Sequence, residues 1–305
     1  MDGGAPRNAP ARQVHNYLGR EGTPPADLLA AGRTEVADYG GQIESGEAVA
    51  ARSEDGGFVV ELADGRSVRS RRLLVTTGLV DELPDVPGVR ELWGSDVLHC
   101  PYCHGWEVRD RAVGVLSTSP FGVHQAIMWR QWTADVTLFL HTGPAPSDEQ
   151  WEELAARDIS VVTGEVAALE AAGGRLSGVR LASGQLVPQD AVVVSPGFAA
   201  RSALLESLGL AAAPKEMLGH VFGSAVPSGP SGATAVPGVW VAGNVTDVRA
   251  QVISSAAAGL DAAAALNGDL IAEDTRRAVA ARRVLSAASE RELCDQVLGD
   301  RRHGI

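Results

Sequence analysis

Apolar positions along the chain of 305 residues switch between two periods, and the switches mark its elements. Residues 23–40, TPPADLLAAGRTEVADYG, open on Thr23 and two prolines, set Leu28, Leu29, Val36 and Tyr39 at helical spacing and stop at Gly40, which predicts a surface helix. GFVVELADG (57–65) and SVRSRRLLVTTG (67–78) alternate at period two and predict a hairpin feeding a buried strand that ends in a glycine turn. VDELPDVPG, with prolines at 84 and 87, reads as a linker. A βαβ unit follows: VGVL (113–116) as a strand, GVHQAIMWRQW (122–132) as a helix with one apolar face, VTLFL (136–140) as a second strand. SDEQWEELAARD predicts a helix with an acidic first turn, ISVVTG a strand, residues 165–187 a small meander, and AVVVSPG a strand into another glycine turn. Residues 214–238, rich in Gly, Pro and Ser, predict a long connection partly ordered by a ligand. VWVAGN (239–244) is a strand, residues 250–270 a small-residue helix suited to lie close against a sheet, and residues 271–305 an Arg/Glu-laced helical tail. Two strands that end in glycine, VTTG and WVAGN, thus flank a central βαβ module, a layout of one domain interrupted by another.

Composition agrees with an α/β class: 45% of residues are hydrophobic but only 5% aromatic, and the length suffices for two domains. A net charge of -12 sets the summed field against nucleic acid and anionic membrane alike. Lys215 is the sole lysine, and the arginines are scattered, which reads as base composition of the genome and not as a phosphate-binding patch. No apolar run reaches the roughly 18 residues a bilayer requires. Three cysteines are too few for a secreted scaffold, and MDGGAPRNAP has neither a charged n-region nor an apolar h-region, so the expected location is cytoplasmic.

Cys100 and Cys103 stand in HCPYCHGWE (99–107), a spacing open to haem, zinc, disulfide exchange or simple burial. Covalent haem attachment follows export, and no signal is visible. Zinc needs further ligands, and Cys294, His141, His220 and His303 lack metal spacing, so no metal is expected. Redox use is favoured over a buried structural pair. Thiolate character rises near a helix N-terminus or a basic neighbour, and an imidazole directly after the second cysteine, His104, suits acid/base work. His99 reads as structural or solvent-facing, and Cys294 as inert.

Taken in order, VHNYLG (14–19), LLVTTG (73–78), CPYCHGWE (100–107) and PGVWVAGNVTD (237–247) followed by AQVISSAAAG (250–259) resemble the thioredoxin reductase-like branch of FAD-dependent disulfide oxidoreductases. The resemblance runs from Asp2 to about Leu270. It implies a two-domain flavoprotein disulfide reductase fold whose discontinuous FAD domain holds an inserted nucleotide-binding-like domain: 1–88, FAD domain, first part; 89–212, the insert with CxxC; 213–270, FAD domain, second part; 271–305, the tail. Cys103 is then the sulfur facing the flavin, Cys100 the outer sulfur that meets substrate, and His104 the acid/base. Asp2 falls on the adenosine ribose position, Asn16, Gly78 and Gly243 on flavin contacts, Asn244 in place of the usual ribityl-binding aspartate, and Gln251 and Val252 beside the isoalloxazine edge. The implied partner is a thioredoxin-like protein or a small dithiol or disulfide, and the implied assembly a homodimer.

Two departures qualify the resemblance. The family opens with a strand and a G-x-G-x-x-G turn that cradles the FAD pyrophosphate, and this chain begins where the second strand would end. The expectation is an FAD sheet without its central strand and weak flavin binding unless that unit is restored. In the insert, VGVLSTSPFGVHQA puts Ser117, Ser119 and Gly122 on the three glycine positions of a dinucleotide turn, and LFLHTG offers no arginine pair for a 2'-phosphate, so NADPH use should be weak. Related dithiol oxidases pass electrons to oxygen and also carry a His after the second cysteine. The readings therefore are an NADPH-driven disulfide reductase, an oxygen-dependent dithiol oxidase, and a cofactor-poor, non-catalytic remnant.

Overall fold

A computed structural model describes residues 1–284 and 287–298; His303 and the end of the expected tail lie outside them. After a loop-rich N-terminal stretch, α1 (Pro25–Asp38) enters with Pro24 and Pro25 at its start, where a missing N–H costs nothing. Next come β1 (Ala48–Glu54), β2 (Gly57–Leu62) and β3 (Ser67–Ser70), an antiparallel meander, then β4 (Leu73–Val75) and β5 (Leu79–Glu82). β1 was not expected from the sequence, because AVAARSE buries only Ala51 fully and shows no clean alternation. Nor is 80–88 simply a linker: β5 pairs antiparallel with a later strand at Gly197–Ala200, since Leu79 is buried and the prolines come only after Glu82.

The following stretch contributes β6 (Val97–Leu98), the short α2 (Pro101–His104), β7 (Val113–Leu116), α3 (Gly122–Trp129), β8 (Val136–Phe139), α4 (Asp148–Ala156), β9 (Ser160–Val162), the meander β10 (Val166–Ala172), β11 (Arg175–Leu181) and β12 (Leu186–Val187), and β13 (Ala191–Val193). The parallel sheet runs β6-β13-β7-β8-β9. Its period of two sorts the core. Val113, Val115, Leu138 and Val193 pack under α3 and α4 with Ala126, Trp129 and Leu154, whereas Leu116, Phe139 and Val192 meet Leu169, Val179 and Leu181 of the meander. Ser147 and Gln150 form a capping box that starts α4.

The chain returns through β14 (Gly197–Ala200), the short α5 (Ala203–Glu206), β15 (Ala213–Met217), β16 (His220–Ala225) and β17 (Val239–Val241), then α6 (Val252–Val284) and α7 (Ala287–Leu298). The long connection expected over 214–238 is largely a hairpin. β15 and β16 pair antiparallel around Leu218 and Gly219, whose positive φ values of 53° and 71° fit a tight primed turn. The mixed sheet is β15-β16-β14-β5.

β17 lies parallel to β4, Val239 to Val241 opposite Leu73 to Val75. Val75, Val239 and Val241 face the β1–β3 meander, and Trp240 and Leu74 face α6, where Ala258, Ala262 and Ala265 allow close approach. α6 continues without a break past 270, fixed to the meander's end by Arg72, which bonds Asp269 and Glu273, and by Arg71 on Asp274. Among the described residues no helix is long and apolar enough to cross a membrane.

Asp96 anchors the strand leading to the cysteines. It is 2% exposed, and its carboxylate accepts from Arg175 at 2.7 and 2.8 Å and from the Leu176 N–H at 2.9 Å. Burial pushes its pKa up, but these donors prevail and hold it below the ordinary carboxylate value. A carboxyl depressed on folding adds stability above its unfolded pKa and loses it as pH falls through the folded one. Asp96→Ala should cost about 2 kcal/mol at pH 7 in urea unfolding, with the gap to wild type closing on acidification; an unchanged midpoint at pH 7 would refute the assignment.

Candidate active site

Cys100 caps α2, and Pro101 starts it. The N–H groups of Cys103 and His104 both donate to the Cys100 carbonyl at 3.1 Å, folding the two sulfurs together as free thiols. Gly105 is required next: a Cβ there would stand 2.7 Å from the Trp132 indole. Cys100 is drawn down to about 7, chiefly by the hydrogen bond from the Cys103 thiol; burial opposes this, and the Cys103 and Tyr102 N–H groups and nearby His104 add to it. For the same reason Cys103, donating to Cys100 and buried, is held far above the ordinary thiol range, against a weak pull from Arg7. One sulfur is the nucleophile at neutral pH, and the other keeps the proton.

Around the pair stand residues that no sequence motif singles out. Arg7 bonds Asp81 of β5 through two contacts of 2.7 and 2.6 Å and lies 5.5 Å above the Phe198 ring. His15 reaches Glu107 at 3.0 Å with one ring nitrogen and Glu21 with the other. His104 Nδ1 is 3.9 Å from Glu107. Among expected residues, Asn16 sits at φ 59° and donates its side-chain amide to the Tyr102 carbonyl at 2.5 Å, joining the N-terminal loop to the cysteine turn. His99 is structural and not solvent-facing: burial, then Arg7, push it down to about 4, and its ring meets Phe198 edge-on at 5.1 Å.

Gly78 and Gly243 lie past the carboxyl ends of the paired strands β4 and β17, at φ 73° and 76°. No atom stands within 4 Å of where a side chain at Gly78 would project. Asn244 turns its amide inward, Nδ2 donating to the carbonyls of Asp247 and Ala250 at 3.0 Å. Gln251 and Val252, both half-buried, begin α6 beside it. Asp2 pairs with Arg33 at 2.6 Å, accepts from the Gly4 N–H at 2.9 Å and forms an isolated β-bridge with Ser45.

Ser117 and Ser119 are buried at the end of β7. The Ser117 hydroxyl donates to the Ser119 carbonyl at 3.3 Å and fills the space between Gly122 and Gly143, where an added Cβ on either glycine would collide with it. Phe121, at the head of α3, is packed edge-on against His220 at 5.6 Å and Phe222 at 6.3 Å from the hairpin. The turn is occupied from within and covered from outside.

Residues 10–263 match the pyridine nucleotide-disulphide oxidoreductase family. The chain belongs to that family. Thioredoxin reductase tcpT of Claviceps purpurea is 31% identical over 88% of this chain and 87% of its own. Among solved structures, that of HlmI superposes with a TM-score of 0.84 at 44% identity, covering 93% of this chain and 88% of the other. An oxidoreductase from Agrobacterium tumefaciens gives 0.81 at 30%, with 88% of each covered. The fold is that of the two-domain flavoprotein reductases. The family implies FAD, and the open space at Gly78, past the carboxyl ends of β4 and β17, leaves room for it there. Among the described residues no group of three or more His, Cys, Asp and Glu stands ready for a metal.

The thiol asymmetry predicts that substoichiometric iodoacetamide labels Cys100 ahead of Cys103, with a midpoint near pH 7 for Cys100. Peptide mapping of the labelled reduced protein checks this; equal labelling of both at pH 7.5 would contradict it.

Proposed function

We propose that the protein is an FAD-dependent thiol-disulfide oxidoreductase working through Cys100 and Cys103, oxidising a dithiol in preference to drawing electrons from NADPH. The observation that carries the reading is the split between the two thiols: a thiolate at Cys100 with a proton-holding partner one turn away is what disulfide exchange needs. His104 moves the thiol proton. Asn16, Gly78, Gly243, Asn244, Gln251 and Val252 would hold the flavin ring and ribityl chain, and Asp2 would face the adenosine ribose. FAD, when bound, supplies the two-electron acceptor for the reduced cysteine pair. The filled turn at Ser117 and the covering ring of Phe121 support weak nicotinamide use, and hence oxygen as the final acceptor. Cytoplasmic thioredoxin-like proteins remain a second substrate class, supported by the resemblance to thioredoxin reductases.

We further propose a discontinuous FAD domain with an inserted one, close to the expected 1–88, 89–212, 213–270 and 271–305 but returning already at β14 and running unbroken along α6 past 270, supported by the β5–β14 and β4–β17 pairings. A homodimer is supported by Ile253, Leu260 and Ile271, which are exposed and fall on one face of α6 at spacings of seven and eleven.

Two experiments test this. In the protein supplemented with FAD, dithiothreitol should bleach the flavin anaerobically and NADPH should not, and Cys103→Ser should reduce thiol oxidation by at least about a hundredfold; undiminished turnover in that variant would sink the proposal. Leu260→Asp should convert the dimer to a monomer by light scattering, and an unaltered mass would count against the α6 interface.

A further inference from the structure

We propose that Glu107 is a positioning residue that couples His104 to His15 and Glu21, forming the route by which protons released at the cysteine pair reach solvent. The inference rests on the thiol-disulfide reading above and adds to it where the protons go. Four titratable side chains alternate in type from the site outward. His104 follows Cys103 directly; Glu107 lies three residues on, 3.9 Å from its Nδ1. The other oxygen of Glu107 meets His15 at 3.0 Å, and the second His15 nitrogen meets Glu21. The Glu21 side chain is 65% exposed whereas His15 is 8% exposed, so the row runs from a covered ring to open water.

Nothing local in the sequence brings these groups together. His15 and Glu21 face one another because residues 14–23 close as a loop, with Val14 N–H donating to the Thr23 carbonyl at 2.8 Å and Gly22 N–H to the Val14 carbonyl at 2.9 Å. Glu21 also accepts from the Asn16 N–H at 2.9 Å, which fixes its carboxylate. The Asn16 amide on Tyr102 then docks the loop against the cysteine turn. Burial pulls His15 down, but its two carboxylate partners outweigh that and raise it overall, which suits a ring that carries a proton between them. Glu107 is pushed up by burial and held down, net, by the two imidazoles. One link is open: Nδ1 of His104 has no hydrogen-bond partner among the described residues, and its distance from Glu107 exceeds a hydrogen bond by about 1 Å.

The step balances without an outside reagent. A substrate thiol gives its proton to His104, its sulfur bonds to Cys100 Sγ, and the Cys100–Cys103 bond breaks with the electron pair left on Cys103. The second substrate thiol then gives its proton to the same ring, its sulfur attacks the substrate sulfur of the mixed disulfide and expels Cys100 as the thiolate, and Cys103 takes up one of the two protons released. The dithiol is oxidised, the enzyme disulfide is reduced, and the proton that leaves His104 for solvent passes through Glu107 and His15 to Glu21. His99 feels the charges of Arg7, Asp81 and His104, and neither it nor Arg7 nor Asp81 is altered in the test.

The test uses Glu107→Gln and His15→Gln in a Cys294→Ser background. Without flavin, the alkylation midpoint of Cys100 should move upward in Glu107→Gln, because the carboxylate that faces His104 at 3.9 Å is gone and the imidazole's attraction for the Cys100 thiolate weakens with it. With flavin, dithiol oxidation at pH 7 should fall roughly tenfold in both variants and recover with added imidazole, and Glu107→Asp should restore part of it. An unmoved midpoint together with no imidazole rescue overturns the relay. Cys103→Ser, assayed in parallel, separates the two readings: full activity there sinks the disulfide chemistry itself, whereas an inactive Cys103→Ser beside a wild-type Glu107→Gln sinks only the relay.

Discussion

Antiparallel pairing of β5 with β14, Leu79 to Glu82 against Ala200 to Gly197, is the constraint on which the site depends. It ties together the point where the chain leaves the β4 region and the point where it comes back. Loop-closure entropy grows only slowly with loop length, so four residue pairs and the buried Leu79 and Phe198 beneath them suffice to tether a long excursion. Arg7 adds a tie from the N-terminal stretch to the same strand through Asp81. With these ends fixed, the cysteine turn has one place to lie, against the loop that carries Asn16 and His15.

The electrostatics follow from that placement. Two thiols in hydrogen-bond contact cannot both ionise cheaply, and the backbone N–H groups of α2 point at Cys100, so that sulfur takes the charge. Arg7 lies on the Cys103 side, already neutralised by Asp81. A second cation there would compete with His104 for the negative charge, and His99, which occupies that position, is kept neutral by burial and by Arg7 itself. Burial thus keeps the imidazole that precedes Cys100 neutral, and the one that follows Cys103 stands toward Glu107.

How far this was legible in the sequence follows from burial. The two-residue β6 is too short to leave a pattern, whereas β7, β8, β9 and β13 of the parallel sheet, with β4 and β17, read clearly because runs such as VGVL, AVVV and VWV are buried on both faces. β5, β15 and β16 did not, because a mixed sheet packed on one side needs only Leu79, Phe198 and Ala225 inside and tolerates Lys, Glu and His between them. Within the site, the cysteines, His104, Asn16 and the two strand-end glycines were visible as motif positions. Arg7, Asp81, His15, Glu21 and Glu107 were not, since their partners lie up to 92 residues away and no periodicity marks a charged residue in a loop. Glu107 alone left a local trace, its spacing of three from His104 on a helical turn.

The dinucleotide turn shows how two substitutions become one feature. Ser117 occupies the space between Gly122 and Gly143 that a bare turn would leave for phosphate oxygens, and the aromatic contacts of Phe121 with His220 and Phe222 close the approach from the hairpin. Those rings continue through Phe198 to His99, next to the cysteines, at centroid distances of 5.1 to 6.4 Å. A glycine at 117 would empty the turn and leave the covering ring in place; removing the ring would expose a turn already filled. Opening the turn therefore requires both changes, and the second would loosen the packing that seats His99 beside Cys100. The rings that cover the turn are, in this fold, part of what holds the thiols in position.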